Sequence, residues 1–341
     1  MKKKYKTPLS ILLLIVILSA ALEGVFVLVL NNPYPLLRYA PRSVVFFFSS
    51  LYMRNVNIIQ FMPECARYDS GVMYTLRPGR FIFSNIEFRT EYLVNSLGVR
   101  DDEASLGSPV IVVAGDSIAM GWGVEQDETF PQIIERKTGL PVLNAAVSSY
   151  GTVREMLLLK RVDRSRLKYL IIEYDTNDYN ENREFYLNKN MLPVTGPGRY
   201  DRLVRKEGNR RRYFFGKHLL SKYNGIIRKI KDMASSRKDG NGASSYRGSA
   251  AFFLNAVINS GIDLTGVRVI VVKFGKDDDF VPALKKKKGS DGRPRFIREM
   301  AVLDAKDILS GDDYYMLDGH MNRRGHEKVA AALLAVVDFK K

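Results

Sequence analysis

Three short apolar runs decide what this chain is able to fold into: VIVVA at 110–114, KYLIIE at 168–173 and VRVIVVKF at 267–274. They are apolar almost throughout rather than alternating, so as strands they need cover on both faces. Helical segments near 128–138, 152–163, 248–260 and 323–338 separate or follow them. Strands buried on both faces, with helices between them, predict a parallel sheet in a doubly wound α/β fold.

The chain before this region has a different grammar. MKKKYKTPLSILLLIVILSAALEGVFVLVLNN opens with four lysines and runs apolar from Leu9 to Leu30, broken once by Glu23. SAA at 19–21 fits a cleaved export signal. VFVLVL at 25–30 extends the run to about the 20 residues needed to cross a bilayer, and we prefer a retained anchor. Either way the lysines stay cytoplasmic and the bulk of the protein lies outside, which places a single-pass anchor at residues 1–30. Residues 42–62 are apolar but carry Arg54, Asn55 and Asn57, so an amphipathic or core helix near the membrane is expected rather than a second span. Residues 74–102 alternate and contain turn residues, which predicts short strands over the main domain. We take 31–100 as a juxtamembrane region and 101–341 as the main domain.

Within 341 residues, 46% apolar and 26% charged, there is ample material for a core. The net charge of +16 is unevenly placed. Residues 183–249 interrupt the strand–helix rhythm, and 199–249 alone hold fifteen Lys/Arg against four Asp/Glu, +11 of the total. This basic insertion predicts contact with an anionic membrane surface, each cation near it worth about 1 kcal/mol. YFFGKHLLSKYNGIIRKIKDM within it has amphipathic helical character, SSRKDGNGASS at 235–245 reads as a flexible loop, and KKKK at 285–288 as an exposed patch. Nucleic acid is not expected, because it needs a cytosolic domain. Cys65 is the only cysteine and His218, His320 and His326 the only histidines, so neither a disulfide nor a Cys- or His-rich metal site is expected, and no cofactor is called for.

The first strand ends in AGDSIAMGWGV, which puts Ser117 just past the carboxyl edge of the sheet, where ligands gather in parallel folds. Backbone N–H groups at such a turn favour an anionic transition state. An ordinary strand-to-turn junction also looks like this. A nucleophilic serine needs a base and the base an orienting acceptor. His218 sits among Phe214, Phe215 and Leu219 and reads as packing or surface, and His326 falls inside the last helical pattern. His320, on a loop before that helix with Asp318 two positions earlier, is the better base.

These residues resemble the SGNH/GDSL-type hydrolases, a flavodoxin-like three-layer α/β/α sandwich defined by four sequence blocks. AGDSIAMGWGV is similar to the first, VLNAAVSSYGT (142–152) to the second, LIIEYDTNDYNEN (170–182) to the third and DGHMNRRGHEKVA (318–330) to the last. The resemblance covers roughly 100–182 and 250–341. It implies a Ser117–His320–Asp318 triad. It also implies an oxyanion hole made by the Ser117 backbone N–H, the Asn177 side-chain amide and a backbone N–H of the second block, Ser149 or Gly151. Two departures stand out: Ser149 occupies the position usually held by glycine, and Asp318-Gly319-His320 is one residue shorter than Asp-x-x-His. The implied function is an ester hydrolase removing O-acyl groups, O-acetyl foremost, from a cell-envelope glycan or lipid-linked saccharide. An O-acyltransferase served by a membrane acyl-donor partner and an inactive envelope-binding module are the alternatives.

Overall fold

The computed structural model describes residues 6–193, 195–236 and 246–339, so the first five residues and most of the loop expected at 235–245 lie outside the described residues. Along the chain come helices α1 (Lys6–Asn31), α2 (Pro33–Leu37) and α3 (Arg42–Tyr52), then strands β1 (Ala66–Asp69), β2 (Met73–Leu76), β3 (Gly79–Asn85) and β4 (Phe88–Val94). The α/β alternation follows as β5 (Ile111–Ala114), α4 (Ser117–Met120), α5 (Phe130–Thr138), β6 (Val142–Asn144), α6 (Thr152–Leu159), β7 (Tyr169–Tyr174) and α7 (Asp178–Leu187). Two helices of the basic insertion, α8 (Pro197–Arg211) and α9 (Lys217–Ser236), precede α10 (Ser249–Ile258), β8 (Arg268–Lys273), α11 (Phe280–Lys288), α12 (Arg295–Arg298), β9 (Ala301–Asp304) and α13 (Arg323–Val336).

Contacts divide the chain into two compact units, Met1–Asn57 with Gly208–Ala243 and Met316–Gly319, and Ile58–Glu207 with Ser244–Tyr315 and His320–Lys341. This partition differs from the expected boundaries at residues 30 and 100. Residues from Ile58 onward belong with the sheet, because Gln60 and Tyr74 bond into the loop after β6. The second half of the basic insertion belongs instead with the N-terminal helices.

The larger unit is built on a five-stranded sheet in the order β6-β5-β7-β8-β9, parallel at every pairing. Counted from β5, that is the 2-1-3-4-5 order of a flavodoxin-like fold, as expected. The three predicted strands are present, and β6 and β9, which the apolar pattern did not single out, complete the sheet. Val112, Ala114, Leu170, Ile172 and Val271 pack on one face against Met156 and Leu159 of α6 and Phe253, Leu254 and Val257 of α10. Ile111, Val113, Ile171 and Ile270 alternate with them and are equally buried, so both faces are covered. Antiparallel hairpins β1–β2 and β3–β4 account for the strands expected near 74–102.

The smaller unit is helical. Leu9–Asn31 of α1 is long and apolar enough to cross a membrane, a test that signal sequences also pass. Its last turns bury a stripe of Glu23, Phe26 and Leu30, and Phe26 packs against Phe47 and Phe48 of α3. Eleven residues long, α3 is far too short for a second span, in line with an amphipathic helix.

Candidate active site

Sheet order alone says where to look. In a 2-1-3-4-5 sheet the strand order reverses between the first and third strands, here β5 and β7, and a crevice opens beyond their carboxyl ends. Ser117 follows β5 and Asn177 follows β7, so the two blocks flank that crevice.

The turn after β5 is built from contacts that only small residues permit. A Cβ on Gly115 would lie 2.7 Å from Glu173 Cβ and 2.8 Å from Ala119 Cβ, so the close approach of β7 requires glycine there. Asp116 then caps α4, its Oδ1 accepting from the backbone N–H of Ile118 at 3.0 Å, which sets Ser117 at the first helical position. Ser117 is 8% exposed, so its hydroxyl sits in a mostly water-excluded niche.

His320 closes the site. Its Nε2 lies 2.9 Å from Ser117 Oγ, across 203 residues of sequence. Ser117 Oγ also lies 3.4 Å from Asp116 Oδ1. Asn177 reaches the same turn: its Nδ2 donates to Asp116 Oδ2 at 2.6 Å. The hydroxyl, the imidazole and the amide are therefore all anchored to one turn.

The remaining expected site residues fall into two groups. Ser149 adopts φ +59°, the left-handed conformation that glycine would take without strain. Gln60 holds it there, donating from Nε2 to Ser149 Oγ at 3.0 Å and accepting from Ser148 Oγ at 3.1 Å. The backbone turn of a glycine-bearing second block is thus kept by a serine with a dedicated clamp. Gly151 caps the start of α6, and a Cβ there would press on the Glu181 side chain at 3.0 Å. Asp318 lies in the helical unit, where Tyr52 donates a 2.5 Å hydrogen bond to its Oδ2 and Ser49 Oγ donates to the neighbouring Leu317 carbonyl at 2.7 Å. His326 is buried, accepting at Nδ1 from the Phe130 N–H at 3.2 Å, and burial pushes it down to about 3, so it is a neutral packing residue. His218 lies beside Glu23, Nδ1 to Oε1 at 2.8 Å.

Three residues that the sequence alone did not flag shape the site. Trp122 stacks on the His320 ring, centroids 4.7 Å apart and planes 17° from parallel. Arg100, fully buried, donates to the carbonyls of Gly121 at 2.5 Å and Val124 at 2.7 Å while its guanidinium lies 3.8 Å over the Tyr92 ring. It holds the loop that carries Trp122. In the turn that carries Ser117, Glu173 Oε2 accepts from the Asp116 N–H at 2.7 Å. Burial, reinforced by Asp116, raises Glu173 and Asp178 well above the usual carboxylate range. Burial does the same to Glu155, reinforced by Asp178. Among the described residues no cluster of His, Cys, Asp and Glu is arranged to hold a metal ion.

No protein-family model matches the chain, and comparison with curated proteins finds no match. Among solved structures, the chain is similar to a protein from Desulfitobacterium hafniense DCB-2 described as lipolytic and of the G-D-S-L family, at 14% identity and a TM-score of 0.34 over 67% of this chain and 99% of that one. It is also similar to the acetyl xylan esterase Est2A from the rumen bacterium Butyrivibrio proteoclasticus, at 10% identity and a TM-score of 0.34 over 67% of this chain and 63% of that one. A family 2 carbohydrate esterase with a carbohydrate-binding domain from Corynascus thermopiles (Myceliophthora fergusii) gives 15% identity and a TM-score of 0.32 over 66% and 65%. The match spans less than two thirds of the two esterases' own lengths. All three TM-scores lie below 0.5, so what can be said of this chain's site stands on its own geometry.

Proposed function

We propose that this chain is a serine esterase of the SGNH type that removes O-acyl groups, O-acetyl foremost, from a cell-envelope glycan or lipid-linked saccharide. The observation that carries the proposal is the 2.9 Å separation of Ser117 Oγ and His320 Nε2 at the switch point of the sheet. Ser117 Oγ attacks the ester carbonyl as His320 Nε2 takes its proton, and the imidazolium returns that proton to the leaving alcohol. Water then repeats the sequence on the acyl-enzyme, releasing the acid and freeing Ser117.

The developing oxyanion is assigned to the Ser117 and Ser149 backbone N–H groups and to the Asn177 amide. That amide has two N–H donors. One is engaged by Asp116, and the second is the one given to the oxyanion. Asp318, two positions before His320 in the sequence, is assigned the orienting role, and Tyr52 donates to its carboxylate within the helical unit. The apolar helix at Leu9–Asn31 and the net charge of +16 support an envelope substrate at a membrane surface, with the sheet-bearing unit on the extracytoplasmic side.

The test is release of acid from O-acetylated envelope polysaccharide by the wild-type chain and by Ser117→Ala. Acetate from wild type alone supports the proposal. New acylated glycan in place of acetate, with an acyl donor supplied, makes the enzyme a transferase. Neither product from folded wild type leaves an envelope-binding module.

A further inference from the structure

The helical unit poses a depth problem. Apolar side chains from Leu9 to Leu18 stand 54–68% exposed, a bare surface suited to lipid. Ten residues of helix rise only about 15 Å, and a bilayer's hydrocarbon core is about 30 Å thick. The remaining thickness falls on Leu18–Leu28, where one side of α1 is already covered by α3 and α9.

Glu23 lies in this zone, about 21 Å along the axis from Leu9 and so about 9 Å below the outer edge of the hydrocarbon. A bare carboxylate at that depth is costly. This one is 0% exposed and fully engaged. Its oxygens accept from the backbone N–H groups of His218 at 3.2 Å and Leu219 at 3.1 Å, with His218 Nδ1 at 2.8 Å and the Tyr213 hydroxyl at 3.4 Å. Those N–H groups are the unsatisfied donors at the start of α9, where the helix dipole favours an anion. Glu23 therefore sets the level at which α9 begins.

The outward face of α9 matches that level. Leu220, Tyr223, Ile226 and Ile230 form a stripe along it, 47–62% exposed, and the loop before it shows Tyr213, Phe214 and Phe215. Phe46 and Phe47 of α3 are exposed as well. Residues 208–236 meanwhile hold eight Lys/Arg against one Asp, the composition of a helix facing anionic headgroups.

We infer that α9 is inserted in the outer leaflet of the bilayer, its Leu220–Tyr223–Ile226–Ile230 face against acyl chains and its cations at anionic headgroups, with Glu23 of the anchor clasping its N-terminus. The inference deepens the membrane-surface part of the proposed function and rests on α1 crossing the bilayer, not on the ester chemistry. It makes the membrane contact of this unit an embedded wedge rather than a charge-only association.

The full chain in a Cys65→Ser background, reconstituted at low protein density into phosphatidylethanolamine–phosphatidylglycerol vesicles, tests it. A polarity-sensitive fluorophore is placed at Ile15→Cys, Tyr223→Cys, Ile226→Cys or Arg228→Cys, each variant first shown by circular dichroism to melt like its parent. Labels at 223 and 226 are expected to be quenched by doxyl-bearing lipid at least about twofold more than the label at 228, and to resist aqueous iodide. Quenching at 15 but iodide access at 223 and 226 overturns the insertion while leaving the anchor in place. Crosslinking of 223 or 226 to a second copy, without lipid quenching, likewise overturns it. A label at 15 open to iodide removes the anchor and the insertion together.

Discussion

Ser117 Oγ and His320 Nε2 stand 2.9 Å apart at the carboxyl edge of a parallel sheet, joined by two loops that the chain brings together from 203 residues away. Separate devices hold each partner. Asp116 caps the helix that begins at Ser117, and Trp122 covers one face of the imidazole. Because the devices are separate, single substitutions can remove them one at a time.

Trp122 stacks on the ring of His320, the proposed base. An aromatic stack of this kind is worth about 0.5–1.5 kcal/mol. If it acts on the position of His320, Trp122→Ala lowers kcat about two- to tenfold with little change in KM, and Trp122→Phe restores most of it. Steady-state kinetics on a chromogenic acetate ester, with melting curves for each variant, give the comparison. An unchanged kcat in Trp122→Ala would remove Trp122 from the positioning scheme.

Asn177 is assigned a charge that exists only in the transition state. Loss of one such donor typically costs ~2.7–4 kcal/mol of barrier. Asn177→Ala should therefore lower kcat by about 10²–10³-fold while KM stays within a fewfold. A large rise in KM with kcat preserved would instead make Asn177 a ground-state substrate contact.

Ser149 substitutes for glycine in a left-handed turn. Ser149→Gly relieves the backbone but gives up the bond from Gln60, so stability should change by no more than about 1 kcal/mol and activity should persist. Ser149→Val keeps the strain, loses the bond and adds β-branching, at a cost of about 1–3 kcal/mol and most of the activity. Chemical denaturation and ester kinetics measure both. Equal tolerance of glycine and valine would show that this turn does not shape the site.

Acid sensitivity has one assignable source in His326. Its folded value of about 3 lies below the 6.5 of an ordinary imidazole. Between the two, the unfolded chain holds one more proton than the folded one, so this group makes stability rise with pH across that window and fall as pH drops. His326→Gln, whose side-chain oxygen accepts from the Phe130 N–H in the same way, should flatten the slope by up to about 1.4 kcal/mol per pH unit. Denaturant unfolding of both proteins at several values between about pH 4 and 6, inside that window, gives the difference. Parallel profiles would mean that His326 titrates normally in the fold.

Much of this arrangement was legible in the sequence where local pattern carries it. The strands at 110–114, 168–173 and 267–274 are apolar enough to declare themselves, and the turns after the first two deliver Ser117 and Asn177. By contrast, β6 and β9 are three and four residues long, too short for periodicity to separate from loop. Tyr52, Gln60 and Arg100 were not legible, because their work is non-local hydrogen bonding: Tyr52 meets Asp318 across 266 residues and Gln60 meets Ser149 across 89. Trp122 left a faint mark as the chain's lone tryptophan among small residues. Glu23 stood out only as a liability in an apolar run, since the donors that satisfy it lie 195 residues downstream.

The most direct measurement is covalent capture of the nucleophile. The folded full-length chain, treated with a fluorophosphonate and digested, is expected to carry a single phosphonyl adduct on the peptide containing Ser117, with the rate of labelling falling sharply in His320→Ala. Labelling elsewhere, or no labelling of Ser117 in protein with a native melting transition, would contradict serine catalysis at this site.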